Sequence, residues 1–145
     1  MSLIILIGLP GSGKTTYCKE LAYKNYMIHD DFITKFFDGS AIASLEKIKL
    51  GVNVCLSDPR LCLPDIFNRY IATILKYVDR TLIQLVLYEN NPEQCIENIE
   101  GRGHRHKIID TIQKYSAYYD LYNYQDFVCT TKPVFHTSTI SSQPL

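Results

Sequence analysis

The eight residues Gly8-Leu9-Pro10-Gly11-Ser12-Gly13-Lys14-Thr15 fill every defined position of the pattern G-x-x-x-x-G-K-[ST]. No other stretch of the chain restricts the fold as strongly, because this pattern works only where a strand hands over to a helix. The apolar run Leu3 to Ile7 precedes it, and Thr16 to Lys24 follows with helical character. The expected order is therefore strand, glycine loop, helix.

The residue types have a physical reason. Successive N–H groups from Gly11 to Thr15 turn inward around an anion only if the loop tolerates unusual dihedrals, which glycine does. The anion then lies on the positive end of the following helix. This implies a nucleoside triphosphate held by Gly8, Pro10, Gly11, Ser12, Gly13, Lys14, Thr15 and Thr16. Lys14 serves as a mobile cation for the outer phosphates, and the Thr15 hydroxyl as a ligand for Mg2+. Thr16 is expected to be a helix residue rather than a ligand of the metal ion.

At 145 residues, the chain is expected to be one domain, residues 1–145, in which nucleotide and second substrate share a small cleft. Fifteen basic and fifteen acidic side chains give a formal charge of zero, which excludes a global electrostatic footprint for long nucleic acid. No run reaches membrane-spanning length and no secretory signal opens the chain, so a cytoplasmic protein is expected. Five cysteines without a C-x-x-C pair suit reduced, buried thiols. His104 and His106 lack partners at zinc spacing, so no structural metal is expected.

Beyond the first helix, the sequence predicts a strand over Tyr26 to His29 that delivers Asp30 and Asp31 at its carboxyl end. Helices follow over 33–37 and 40–49, then a strand over 52–56 ending at Asp58. A helix over 65–78, a buried strand over 81–88, helices over 92–99 and 108–122 and a last strand over 126–130 complete the pattern. Residues 101–107 read as a basic lid loop, and 137–145 as a flexible tail. Alternating strands and helices imply an α/β fold, a P-loop three-layer α/β/α sandwich with a mostly parallel sheet covered on both faces.

Phosphoryl transfer needs a carboxylate for the acceptor and cations for the transferring group. Asp30 is expected to be that carboxylate, with Asp31 as its partner or a helix cap, since adjacent strand residues face opposite ways. Asp58 either orients the acceptor or a metal-bound water, or forms a turn before Pro59. Arg60 either meets an acceptor phosphate or stands in solvent. Arg102 and Arg105 are the expected lid arginines. Tyr115, Tyr118, Tyr119 and Tyr122 have the spacing of one helical face, expected to pack in the core with phenol tips at the surface.

Taken together, the chain resembles the P-loop kinases that include the phage and bacterial polynucleotide 5′-hydroxyl kinases. The likeness rests on Gly8 to Thr16, His29-Asp30-Asp31-Phe32, Leu56-Ser57-Asp58-Pro59, and Glu97 to Arg102 leading to Arg105. It implies an ATP-dependent, magnesium-requiring transfer to a polynucleotide 5′-hydroxyl, with Asp30 activating the acceptor and Arg102 or Arg105 over the phosphates. There is one departure. The phage kinases place an arginine three residues after the catalytic aspartate, where this chain has Ile33, leaving Lys35 or Arg60 to meet an acceptor phosphate. Two other expectations stand beside it: a kinase for a small metabolite or nucleoside, and a regulatory module that hydrolyses ATP slowly.

Overall fold

All five residues of Leu3–Ile7 are buried, as a central parallel strand covered on both faces requires. The computed structural model describes residues 2–36, 39–101 and 106–136. In it, β1 (Leu3–Ile7) is followed by α1 (Lys14–Tyr23), β2 (Tyr26–Asp30), α2 (Phe32–Phe36), α3 (Ser40–Lys47) and β3 (Asn53–Ser57). Then come α4 (Pro64–Ile74), β4 (Ile83–Tyr88), α5 (Pro92–Glu100), α6 (His106–Ser116) and β5 (Val128–Lys132).

The strands form one parallel sheet in the order β2-β3-β1-β4-β5. With β3 on one side of β1 and β4 on the other, β1 stands where the winding reverses, and a crevice opens there at the carboxyl ends of the strands. Register places Ser57 of β3 beside both Leu6 of β1 and Asp30 of β2. The glycine loop, Asp30 and Asp58 therefore leave the sheet along one edge.

Alternation along β1 feeds two cores. Ile4 and Leu6 pack with Cys18 and Leu21 of α1 and with Cys55, Val86 and Tyr88. Leu3, Ile5 and Ile7 join the larger core, which takes in Phe32, Leu45, Phe67, Ile74, Cys95, Ile99 and Ile112 from α2 to α6. The expected three layers are present, unevenly loaded: among the described helices, α1 alone covers the first face.

Several element ends differ from the sequence expectation, each for a local reason. Helix α4 stops at Ile74 rather than Val78, where Lys76 and Tyr77 N–H groups bond to carbonyls three residues back and tighten the chain out of the helix. Strand β4 starts at Ile83 rather than Thr81 because the Asp79 carboxylate accepts from Thr81 N–H and caps a 3₁₀ turn. Helix α6 ends at Ser116, not Tyr122. There the Tyr119 hydroxyl donates to the Tyr88 and Ile7 carbonyls, and Asp120 caps another 3₁₀ turn, Leu121–Tyr124. That turn delays β5 to Val128. The four tyrosines consequently do not share a face: Tyr119 is buried, Tyr115 half-buried, and Tyr118 and Tyr122 are exposed.

The five cysteines are free thiols, four buried and Cys129 half-buried. Burial pushes Cys62 up to about 12 and Cys95 up to about 11, which keeps both protonated and unreactive near neutrality. Among the described residues, no three His, Cys, Asp or Glu side chains gather as a metal cluster, and no helix is long and apolar enough to cross a membrane.

Candidate active site

The loop after β1 is shaped by what its glycines leave out. A Cβ on Gly8 would sit 2.7 Å from Ser12 Oγ and 2.9 Å from Tyr88 Cβ. Gly11 and Gly13 adopt φ of +84° and +109°, and a Cβ on either would meet Cys95 O or Phe135 Cβ at 2.6 Å. Both dihedral and space thus require glycine at 11 and 13. Ser12 N–H closes the turn on Leu9 O, and α1 starts at Lys14 with no side chain capping it. Its first-turn N–H groups remain to bind an anion.

Lys14 is 7% exposed. Its Nζ donates to Gly8 O at 2.7 Å, Leu9 O at 2.8 Å and Ser12 Oγ at 3.3 Å. Burial lowers its pKa below the ordinary lysine value, opposed by nearby groups that include Asp30 and Asp58. The three acceptors hold the ammonium within the loop.

Two cavities meet at Gly13 and Thr16. One, about 320 Å³, is bordered by Lys14, Thr15, Asp30 and Asp31, with Pro59, Ile99 and Ile108 as walls. The other, about 140 Å³, lies against Tyr17, Glu20, Tyr88, Lys132, Pro133 and Phe135. Lys132 Nζ stands 3.8 Å above the Tyr17 ring, a cation–π contact in its wall.

Asp30 and Asp31 border the same cavity despite being adjacent. Strand β2 ends at Asp30, and Asp31 takes a left-handed φ of 52°, a conformation aspartate tolerates better than most residues. Its N–H donates to Asp30 Oδ1 at 3.0 Å. The turn swings the second carboxylate back to the side of the first.

Asp58 is fully buried and does not line that cavity. Its Oδ1 accepts from Arg60 N–H and Nε, both at 2.9 Å, and its Oδ2 from Arg60 Nη2 at 2.8 Å and Ile33 N–H at 3.3 Å. Arg60, 37% exposed, also donates to Thr34 Oγ1. The Asp58 hydrogen bonds raise the Arg60 pKa further. Asp58 thus ties the starts of α2 and the following turn together and engages the Arg60 side chain, which does not line the cavity although its charge is close enough to interact with Asp31. Arg102 and Arg105 lie outside the described residues.

Asn98 of α5 lies within the segment Glu97 to Arg102, but the sequence assigns it no role. Its Nδ2 donates to Gly11 O at 2.9 Å and Phe135 O at 2.6 Å, and it is 1% exposed. Its sequence signal is a polar residue on the apolar stripe of Cys95 and Ile99. Tyr17, Lys132 and Phe135 carry no motif at all; only the parallel pairing of β5 with β4 brings the segment after Lys132 to the loop.

No protein-family model matches the chain. An uncharacterized protein, R277, of Acanthamoeba polyphaga mimivirus is 41% identical over 137 residues, covering 92% of this chain and 96% of its own. Among solved structures, a gluconokinase from Sinorhizobium meliloti 1021 aligns with a TM-score of 0.64 and 16% identity, over 99% of this chain and 84% of its own. A deoxyadenosine kinase from M. mycoides with bound dATP gives a TM-score of 0.49 and 16% identity, over 91% and 90% respectively. The likeness to the gluconokinase is one of fold, an α/β domain built on a parallel sheet.

Proposed function

We propose, for a chain that belongs to the same protein family as mimivirus R277 and has a P-loop kinase fold, that it transfers the γ-phosphoryl group of ATP to a hydroxyl of a small, uncharged acceptor such as a sugar or nucleoside. The observation that carries this reading is the cavity of about 320 Å³, which Lys14 and two carboxylates, Asp30 and Asp31, line together. Of the described ionic side chains on its border, one is cationic and two are anionic, a balance that disfavours a phosphate-bearing acceptor. Arg60, next to the Pro59 wall, is engaged by Asp58.

In this reading the triphosphate lies on the loop and the start of α1, with the nucleoside directed past Thr16 into the 140 Å³ cavity. Lys14 exchanges part of its hold on the Gly8 and Leu9 carbonyls for phosphate oxygens. The acceptor hydroxyl oxygen forms a bond to the γ-phosphorus while the bond from that phosphorus to the bridging oxygen breaks. ADP leaves, and the hydroxyl proton passes to Asp30. Arg102 and Arg105 are proposed to neutralise the transferring group.

The Thr15 hydroxyl, Asp30 and Asp31 offer oxygen alone along one cavity wall. That donor set fits magnesium, which prefers few protein ligands and retains its waters. Thr15 would hold the ion, which when bound neutralises charge on the outer phosphates.

The polynucleotide 5′-hydroxyl as acceptor receives less support. Ile33 is 4% exposed and belongs to the core, and no described arginine stands free on the acceptor side. The decisive experiment offers γ-labelled ATP and magnesium with sugars, nucleosides and 5′-hydroxyl DNA and RNA. Label on a small neutral acceptor, lost with Asp30→Ala, is expected. Label on oligonucleotide ends alone would return the reading to a polynucleotide kinase, and turnover independent of every acceptor would favour a regulatory ATPase.

A further inference from the structure

Asn98 joins two loops that the chain keeps far apart in sequence. Its amide nitrogen has two hydrogens, and the carbonyls of Gly11 and Phe135 receive them at 2.9 and 2.6 Å. Its Oδ1 accepts from Gln94 Nε2 at 2.9 Å, which fixes the amide orientation from within α5. Phe135 N–H in turn donates to Ser12 O at 2.9 Å. Both lines of contact run between the phosphate loop and residues 133–136.

The approach is close by construction. The missing side chain of Gly11 lets the Cys95 carbonyl and the Ile99 side chain come up against the loop, and that of Gly13 admits Phe135. Helix α5 therefore lies on the loop from one direction, and the segment after β5 meets it from another. Asn98 is the buried side chain that bonds both.

We infer that Asn98 is a positioning residue that locks the phosphate loop and the segment 133–136 into one preorganised clamp, so that the phosphates and the base of the donor nucleotide are gripped together. This inference rests on the donor-site reading above. A ligand that spans two subsites binds tightly when their spacing is fixed beforehand, because the second contact then costs little additional ordering. With the bridge cut, two buried carbonyls lose a donor, and the Phe135 N–H bond to Ser12 O is left to hold the two loops together. A ligand that touches only the phosphate loop is affected less than one that spans both.

The test compares Mg-ATP with inorganic triphosphate by calorimetric titration in wild type, Asn98→Asp and Asn98→Ser. Asn98→Asp is isosteric but turns an acceptor toward two carbonyls. Asn98→Ser keeps one donor and decides the matter if the aspartate variant fails to fold, with circular dichroism confirming folded protein.

ATP affinity is expected to fall by about tenfold or more while triphosphate affinity changes by less than about threefold. In turnover, the KM for ATP rises, and the acceptor KM stays unchanged. Equal losses for the two ligands, or no loss in a folded variant, would overturn the clamp and leave Asn98 as ordinary packing. Wild type that binds no ATP would sink the donor-site reading and this inference with it. Wild type that binds triphosphate as tightly as ATP would leave the phosphates in place but remove any grip on the base, and the clamp would fall alone.

Discussion

The two cavities that meet at Gly13 are built in opposite ways. On the donor side, the shape comes from backbone and buried bonds: two left-handed glycines, an uncapped helix start, a lysine held by carbonyls and an amide bridging two loops. On the acceptor side, it comes from a few side chains at the end of β2, where Asp31 is exposed and Asp30 half-buried. Under the proposed function, the difference teaches that phosphate binding would be a property of the fold, and acceptor choice a property of individual side chains. Substitutions should accordingly act on the two sides in distinguishable ways.

The largest expected effect is on the side they share. Lys14→Ala removes the cation that must follow charge to the outer phosphates and leaves Gly8 O and Leu9 O without their donor. Transfer should fall by about 10³-fold, with weaker ATP binding measured in the same preparation. Transfer retained within tenfold would mean that another cation carries the phosphates and that the loop is only a scaffold.

Asp30→Ala sharpens the contrast, since it removes the carboxylate proposed for the acceptor and leaves the glycine loop intact. A loss of roughly 10²-fold in kcat is expected, with ATP affinity unchanged by titration. An equal loss in ATP binding would show that the two cavities are not separable. Asp31→Ala should act more gently, chiefly on the acceptor KM.

Asp58→Ala addresses the frame around the acceptor side rather than its surface. It releases Arg60, which water can solvate at 37% exposure, but also strands the Ile33 N–H in the core. A cost of about 2 kcal/mol in stability is expected, read from chemical denaturation. Arg60→Ala should cost at least as much, because it leaves the fully buried Asp58 carboxylate with only the Arg60 and Ile33 backbone N–H groups as donors. The freed Arg60 offers a sharper readout: Asp58→Ala should gain affinity for phosphorylated acceptors if the pair is what withholds that charge from the site.

The same contrast explains what was legible in the sequence. Gly8 to Thr15 spelled out the donor side because its geometry demands particular dihedrals, and only glycine meets them at 11 and 13. The layer order was legible from buried runs such as Leu3–Ile7 and Ile83–Tyr88. Asp30 and Asp31 could be named, but not their convergence, which depends on one left-handed residue. Tyr115 to Tyr122 misled because spacing alone does not reveal where a helix ends. The pull of the Tyr119 hydroxyl onto the Tyr88 and Ile7 carbonyls is a tertiary effect. Lys132 and Phe135 left no local pattern, and Asn98 only a polar break in the apolar stripe of α5, since their partners lie in loops brought near by strand order.

The smallest expected effect is a pH dependence that belongs to the donor side alone. Burial lowers the Lys14 pKa in the free protein, whereas bound phosphates favour its charged form. Between these two pKa values, binding takes up a proton, so ATP affinity should fall as pH rises through the window, at most about tenfold per pH unit. Folding stability should move in the opposite sense. Between the lowered value and the ordinary lysine value the unfolded chain binds more protons than the folded one, so the Lys14 contribution to stability grows as pH rises there. Titrating ATP into wild type and Lys14→Arg from neutral to alkaline pH separates this from general effects, because arginine stays charged throughout. A wild-type slope that persists in Lys14→Arg would assign the titration to another group and take away the argument that Lys14 leaves a buried cradle to meet the phosphates.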